Sequence, residues 1–275
     1  MSYQNRHAAP SDIQPLIDEF LDTLRAAGQR RHTIDTRRRQ LVRVFREINP
    51  LTVSEHELVQ WLASREWGPE TRKSTRSVLR AFFSWLVQTG RRGDDPAIDL
   101  PGIRIPKPQP RPCPDDHVTA ALRHAGDEGE IIMVRAAAEL GLRRGEIARL
   151  NSDDVIDDQH GKALIVHGKG GKERTLPIPD DLASLLAAYD GYVFPGRFGD
   201  HVEESYVGVR LSRLLPAGWS GHTLRHRFAT KTYGESRDLL MVSIALGHES
   251  VATTQRYVKP PDDAMRALMA HARLS

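Results

Sequence analysis

Cysteine is nearly absent from this 275-residue chain. Cys113 stands alone, which excludes an internal disulfide and a multi-cysteine zinc site and suits a reducing cytoplasm. No run approaches the ~18 consecutive apolar residues of a membrane-spanning helix, and Met1 to Pro10 has no signal-peptide core. Internal repeats, low-complexity tracts and coiled-coil heptads are also missing. Lysine is scarce, supplying only 7 of the 39 cations, so the basic character is almost wholly arginine. What is present, 39% hydrophobic and 27% charged residues, describes a globular chain. Its length predicts two domains at roughly 150 residues each.

The formal charge of +3 hides an asymmetry. Residues 1–110 carry 18 Lys and Arg against 13 Asp and Glu, whereas residues 111–275 carry 21 against 23. Arginine forks onto phosphate as lysine cannot, so an arginine-rich front half points towards nucleic acid. Arginine usage set by genomic base composition gives the same totals, and composition leaves both readings open.

Seven of the 17 prolines fall between Pro96 and Pro114. Alternating prolines cannot continue a helix and favour extended geometry, so residues 96–113 are expected to link domains at 11–95 and 114–275. The front part reads as four amphipathic helices. The first is capped by Ser11 and carries Ile13, Ile17, Phe20 and Leu24 inward, ending at Gly28. A second starts at Thr33. A third follows the Ser54–Glu57 capping box, and the fourth spans Pro69 to Thr89. Arg39 on the second and Arg72, Lys73, Arg76 and Arg80 on the fourth form basic stripes suited to a DNA groove; a solvated charged face looks the same. The rear part reads as helices at 115–125, 129–140, 144–150, 180–189, 205–214, 222–233 and 237–246. Strands at Ala163–His167 and Arg174–Ile178 are joined by a GKGGK turn.

Four rear segments concentrate groups suited to an anion. Arg143 sits at a helix start with Glu146 three residues on, a spacing that also makes a local ion pair. Lys169 occupies the Gly168–Gly171 turn, which is no P-loop, because Glu173 follows Lys172 and position 166 is not glycine. His222 and Arg225 share a helix face. His226 adds a histidine pair like half a zinc site, yet the zinc-protease pattern needs Glu where Thr223 stands, which disfavours a zinc hydrolase. His248 ends a helix before Ser250, and Tyr257 follows nine residues later; singly, such residues are most often packing groups.

In combination, the strings GLRRGE (141–146), VHGKGGKER (166–174), HTLRHRFAT (222–230) and LGHESVATTQRY (246–257) resemble the tyrosine recombinase family. That family includes phage integrases and Xer-type chromosome-dimer resolvases. The front part is similar to the family's helical core-binding domain in TRKSTRSVLRAFFSWLVQTG followed by DDPAIDLP. The likeness runs from residue 10 almost to the end. Leu140 and Glu249 depart from the family's common Thr and Ser, neither at a catalytic position.

The resemblance implies a mainly α chain, α+β overall. A small N-terminal SAM-like helical bundle would precede a mixed catalytic domain, helical with a small antiparallel sheet. It implies a site-specific DNA recombinase working through a 3′-phosphotyrosyl intermediate. Tyr257 would be the nucleophile, with Arg143 and Arg225 clamping the phosphate and Lys169 protonating the 5′-oxygen. His222 would assist proton transfer, His248 would hydrogen-bond the phosphate, and Glu146 would orient the arginines. No cofactor and no metal are implied. The implied partners are double-stranded DNA core or attachment sites, a directionality factor, and three further copies in a tetramer on DNA. The amphipathic tail with Ala264, Leu268, Met269 and Ala272 would dock on a neighbouring subunit or on its own domain. Only about ten residues precede the first helix, so the expectation is a temperate-phage integrase without an arm-binding domain, in a bacterial cytoplasm. The alternatives are a Xer-type resolvase and a non-catalytic DNA-binding protein on the same fold.

Overall fold

The computed structural model describes residues 8–106, 109–168, 170–197, 200–248 and 250–254. The chain divides into two compact units, Met1–Pro106 and Lys107–Ser275.

The first unit is all helical: α1 (Gln14–Ala26), α2 (Arg31–Phe45), α3 (Glu55–Ala63) and α4 (Pro69–Gln88). Apolar residues at helical spacing turn inward, and Ile17, Leu41, Leu58, Leu79 and Leu86 are fully buried. Aromatic packing forms the centre. Phe82 meets Phe20 edge-on at 5.3 Å between ring centroids and Phe45 at 4.9 Å. The Ser54–Glu57 capping box is formed, with Ser54 N donating to Glu57 Oε2 over 2.8 Å and Glu57 N donating to Ser54 Oγ over 3.3 Å. Ser11 does not cap α1, which starts at Gln14 with Ile13 before it and Pro15 in its first turn. A proline there is favourable because its missing N–H would have no partner in the helix. Helix α2 begins two residues ahead of Thr33. The proline-rich stretch is partly packed: Ala97 and Leu100 belong to the first core, and Cys113 to the second.

The second unit comprises α5 (Asp115–His124), α6 (Glu128–Ala138), α7 (Arg144–Ile147), β1 (Val155–Asp158), β2 (Gly161–His167) and β3 (Glu173–Pro177). These are followed by α8 (Asp180–Ala187), α9 (Glu204–Leu214), α10 (Gly221–Ser236), α11 (Leu239–Leu246) and α12 (Val251–Thr254). Helix α6 is the central strut: Ile132, Val134 and Ala137 are fully buried, and it packs against α8, α9 and α10. The sheet is antiparallel in the order β1–β2–β3. Strand β1 was not expected; it is short and its last two residues are exposed, so it lacks the alternation that marks a half-buried strand. Val155 pairs with Leu164, and Val166 with Arg174. Helix α7 stops at Ile147, short of the expected 150. Arg237, in the left-handed region at φ 54°, separates α10 from α11 and moves the start of α11 to Leu239. No helix among the described residues is long and apolar enough to cross a membrane.

Candidate active site

Three arginines from three elements converge on one buried carboxylate in the second unit. Glu146 lies in α7 with its side chain 2% exposed. Arg143 immediately precedes α7, donating its backbone N–H to Glu146 Oε2 (2.8 Å) and Nη1 to Oε1 (2.9 Å). Arg174 on β3 forks onto the same carboxylate, Nη1 to Oε1 over 2.9 Å and Nη2 to Oε2 over 3.0 Å. Arg225 on α10 approaches Oε2 to 4.0 Å. Burial by itself pushes the Glu146 carboxyl up, but the Arg174 hydrogen bonds and charge, then those of Arg143, prevail and hold it below the usual carboxylate range.

The same arginines also grip the end of α11. Arg174 Nε donates to Ala245 O (2.8 Å), Arg225 Nη2 to Leu246 O (2.6 Å) and Arg143 Nη2 to Gly247 O (3.1 Å). These carbonyls close a helix, where the backbone dipole ends negative, so cations are held where the helix favours them. Arg225 Nη1 donates in addition to Gly141 O. Two glycines make this approach feasible. Gly141 (φ +64°) and Gly247 (φ +61°) adopt left-handed backbone, and a Cβ at Gly141 would stand 2.5 Å from the Phe228 ring.

His248 follows Gly247 and completes the cluster. Its Nε2 lies 2.9 Å from Arg225 Nη2, and its Nδ1 lies 2.7 Å from Thr254 Oγ1. A guanidinium only donates, so Nε2 accepts and Nδ1 carries the proton. Burial, then the Arg225, Arg143 and Arg174 charges, pushes His248 down to about 4, leaving it neutral at physiological pH. His222 stands in the first turn of α10, three residues from Arg225, and burial followed by the Arg225 charge lowers it as well. Its ring meets His226 edge-on at 4.7 Å. Among the described residues, no three His, Cys, Asp or Glu side chains are grouped to hold a metal ion.

One carboxylate against three guanidiniums leaves a positive surplus beside two neutral imidazoles. Arg143 is its most open member, with its side chain 40% exposed against 11% for Arg174 and 3% for Arg225. Such a cluster suits an anion with several oxygens, such as a phosphodiester. The structure thus brings Arg143, Glu146, His222, Arg225 and His248 into one place. Lys169 and Tyr257 lie outside the described residues, as does the segment after Tyr257. Gly168 and Gly170 flank Lys169, and Gly168 N bonds Lys172 O over 2.7 Å to close the β2–β3 turn. Arg174 was not singled out from the sequence. Its signal was a charged residue in the inward phase of a strand, two residues before buried Leu176.

The five basic residues of the first unit expected to meet DNA differ in their bonding. Arg76 places Nε and Nη2 on Leu100 O at 2.9 and 2.6 Å, and Arg72 holds the carbonyls of Trp67 and Arg65 at 3.0 and 2.5 Å. Arg39 bonds Asp35 O and Thr36 Oγ1 on its own helix. Lys73 and Arg80 are exposed on α4.

Comparison with known proteins identifies the family and the fold. The model of the phage integrase family matches residues 118–263, and that of the phage integrase N-terminal SAM-like domain matches residues 17–90. A tyrosine recombinase XerC of Neisseria meningitidis serogroup B is 31% identical, the match covering 94% of this chain and 95% of that one. A XerC of Azotobacter vinelandii is 33% identical over 89% and 91%. Among solved structures, a lambda integrase dimer bound to a COC′ core site has the same fold, with a TM-score of 0.72 at 17% identity over 88% of this chain and 76% of that one. The XerH recombinase bound to difH substrate gives 0.66 at 18% identity over 88% and 80%. The chain therefore belongs to the phage integrase family: it is a tyrosine recombinase, an enzyme that cuts and rejoins DNA by transesterification.

Proposed function

We propose that the chain is a site-specific recombinase in which Tyr257 attacks the scissile phosphate, forming a 3′-phosphotyrosyl bond while the bond to the 5′-oxygen breaks. The observation that carries this reading is the convergence of Arg143 and Arg225 on one positively charged corner, where His248 accepts from Arg225 and so helps to orient it. A phenol has a reference pKa of about 10, so its proton must leave during attack. His222, neutral because of its burial and Arg225, is able to receive that proton. Arg143 and Arg225 oppose the charge that develops on the non-bridging oxygens, and permanently charged guanidiniums do so without a metal ion. Lys169, between two glycines on the β2–β3 turn, supplies a proton to the departing 5′-oxygen. The phosphotyrosyl bond conserves the energy of the broken phosphodiester, so rejoining to a new 5′-hydroxyl requires no nucleotide. Tyr257 lies three residues along the chain from Thr254, whose hydroxyl holds His248.

Within this chemistry the Xer-type reading now leads the phage-integrase reading expected from sequence. What supports it is likeness over nearly the full length of XerC proteins, 94% of this chain and 95% of the Neisseria one. On this reading the first unit grips a core site, and four copies act on two duplexes; the DNA-bound recombinases of the same fold support that arrangement.

A DNA suicide substrate, nicked so that the cleaved strand is lost, tests the chemistry. The wild-type protein should form a covalent adduct, and Tyr257→Phe should form none. An adduct that persists in Tyr257→Phe removes Tyr257 from its role. Sequencing the trapped DNA separates the two biological readings, since a chromosomal dimer-resolution site supports the Xer type and a phage attachment site the integrase.

A further inference from the structure

Arg174 is the one member of the arginine cluster that the reaction above leaves without a task. It faces inward from β3 with its side chain 11% exposed, and all its recorded bonds stay inside the protein, two to Glu146 and one to Ala245 O. Glu146 is in turn what holds Arg143, through both its backbone N–H and its Nη1. Strand β3 also leads directly out of the turn that carries Lys169, in register with β2 through Val166–Arg174 and His167–Glu173. One guanidinium thus ties the Lys169 hairpin to the start of α7 and to the end of α11. The surroundings are shaped to it: a Cβ at Gly247 would stand 2.9 Å from Arg174 Nη1.

We propose that Arg174 is a positioning residue for strand cleavage: it fixes Glu146, and through it Arg143, while locking the Lys169 hairpin to the α11 terminus. It does not itself touch DNA. The inference rests on the catalytic assignments made above.

The charges facing Glu146 set the expected pH behaviour. They are Arg143 before α7, Arg174 on β3, Arg225 on α10 and the neutral His248 after α11. Burial opposes the carboxylate and Arg174 is its leading counterweight. Without Arg174, Glu146 takes up a proton at higher pH, and a protonated carboxyl has one acceptor fewer to offer Arg143.

Arg174→Met and Arg174→Lys test this in the full-length protein, with the suicide substrate and with 13C NMR of the Glu146 carboxyl, identified by its loss in Glu146→Gln. Arg174→Met should keep its DNA affinity and lose about 100-fold in single-turnover cleavage, the scale of a misplaced reacting group. Its cleavage should also gain an acid limb, falling as pH drops through the raised Glu146 pKa. Arg174→Lys keeps the charge without the fork, so it should recover part of the rate and show no acid limb. The Glu146 carboxyl should titrate at higher pH in Arg174→Met than in wild type. A wild-type pH profile and an unshifted Glu146 titration in both variants overturn the proposal, even if both are less stable. Should Arg174→Met fail to fold, Arg174→Lys carries the comparison: a normal cleavage rate overturns the proposal, and a reduced rate with normal DNA affinity and an unchanged melting temperature supports it. If wild type forms no Tyr257-dependent adduct, the catalytic reading fails. The Glu146 titration then decides the hold of Arg174 separately, a shift supporting it and no shift overturning it.

Discussion

Each side chain of the cluster is held in its working state by its neighbours. Glu146 stays ionised because two guanidiniums outweigh its burial, and His248 stays neutral because burial and three guanidiniums oppose a further positive charge. The sign for His248 is definite. From its ordinary value of 6.5 to the folded value of about 4, the unfolded chain binds a proton that the folded chain does not. His248 therefore contributes a loss of stability as pH falls through that window, and no loss above it. In 15N NMR of the free protein, His248 should remain a neutral Nδ1–H imidazole down to about pH 4. Protonation near 6.5, or an Nε2–H tautomer, would contradict the acceptor role towards Arg225. Arg143, Glu146, His222, Arg225 and His248 were legible as site candidates because their types and spacings match a family pattern. Arg174 was not, because a strand arginine declares its task only when its partners are seen.

Turns and helix ends set the geometry at the scale of elements. The three bonded carbonyls at 245–247 are available because α11 ends there in a left-handed Gly247, and Arg225 reaches Gly141 O because the chain turns through a left-handed Gly141 before α7. Gly141→Ala meets both backbone strain and the Phe228 ring, with Leu246 Cδ2 at 3.0 Å. Gly191 in the same unit has φ +80° but open space around its Cβ position. Gly191→Ala should cost about 1 kcal/mol from left-handed strain alone, and Gly141→Ala about 1–3 kcal/mol more from overpacking. Urea denaturation of the second unit's transition measures the difference; equal costs would mean that the Phe228 contact yields freely. Helix positions were largely legible from apolar periodicity. The start of α1 was not, because Ser11 looks like a cap in sequence while Pro15 sets where the first turn forms.

On the whole molecule, the front-half surplus of arginine does not translate directly into DNA contacts. Arg72 and Arg76 spend their forks on backbone carbonyls, so their first task is structural, whereas Lys73 and Arg80 face solvent from α4. Lys73→Ala and Arg80→Ala should each weaken DNA binding across sequences and reduce the salt slope by about one, with stability changed by less than about 0.5 kcal/mol. Arg76→Ala should instead destabilise the first unit by about 1–3 kcal/mol, because the Leu100 carbonyl loses both bonds. Salt-dependent binding measured beside thermal unfolding distinguishes them. A change in slope for Arg76→Ala at unchanged stability would assign it to DNA after all.

The sequence by itself determined most helix positions, because periodicity and capping boxes are local properties of a chain, and through the resemblance carried by four short strings it supplied the chemistry class and named the candidate site residues. It also marked residues 96–114 as a stretch that no helix crosses, since seven prolines act locally. Only the tertiary structure decided which arginines converge on Glu146 and which hold carbonyls of the first unit, why Glu146 is charged and His248 is not, and that α11 ends against three guanidiniums. Those outcomes depend on burial and on partners up to about a hundred residues apart, such as Arg143 and Gly247. Electrostatic environment is a property of the space around a group, and the packing of distant segments creates that space.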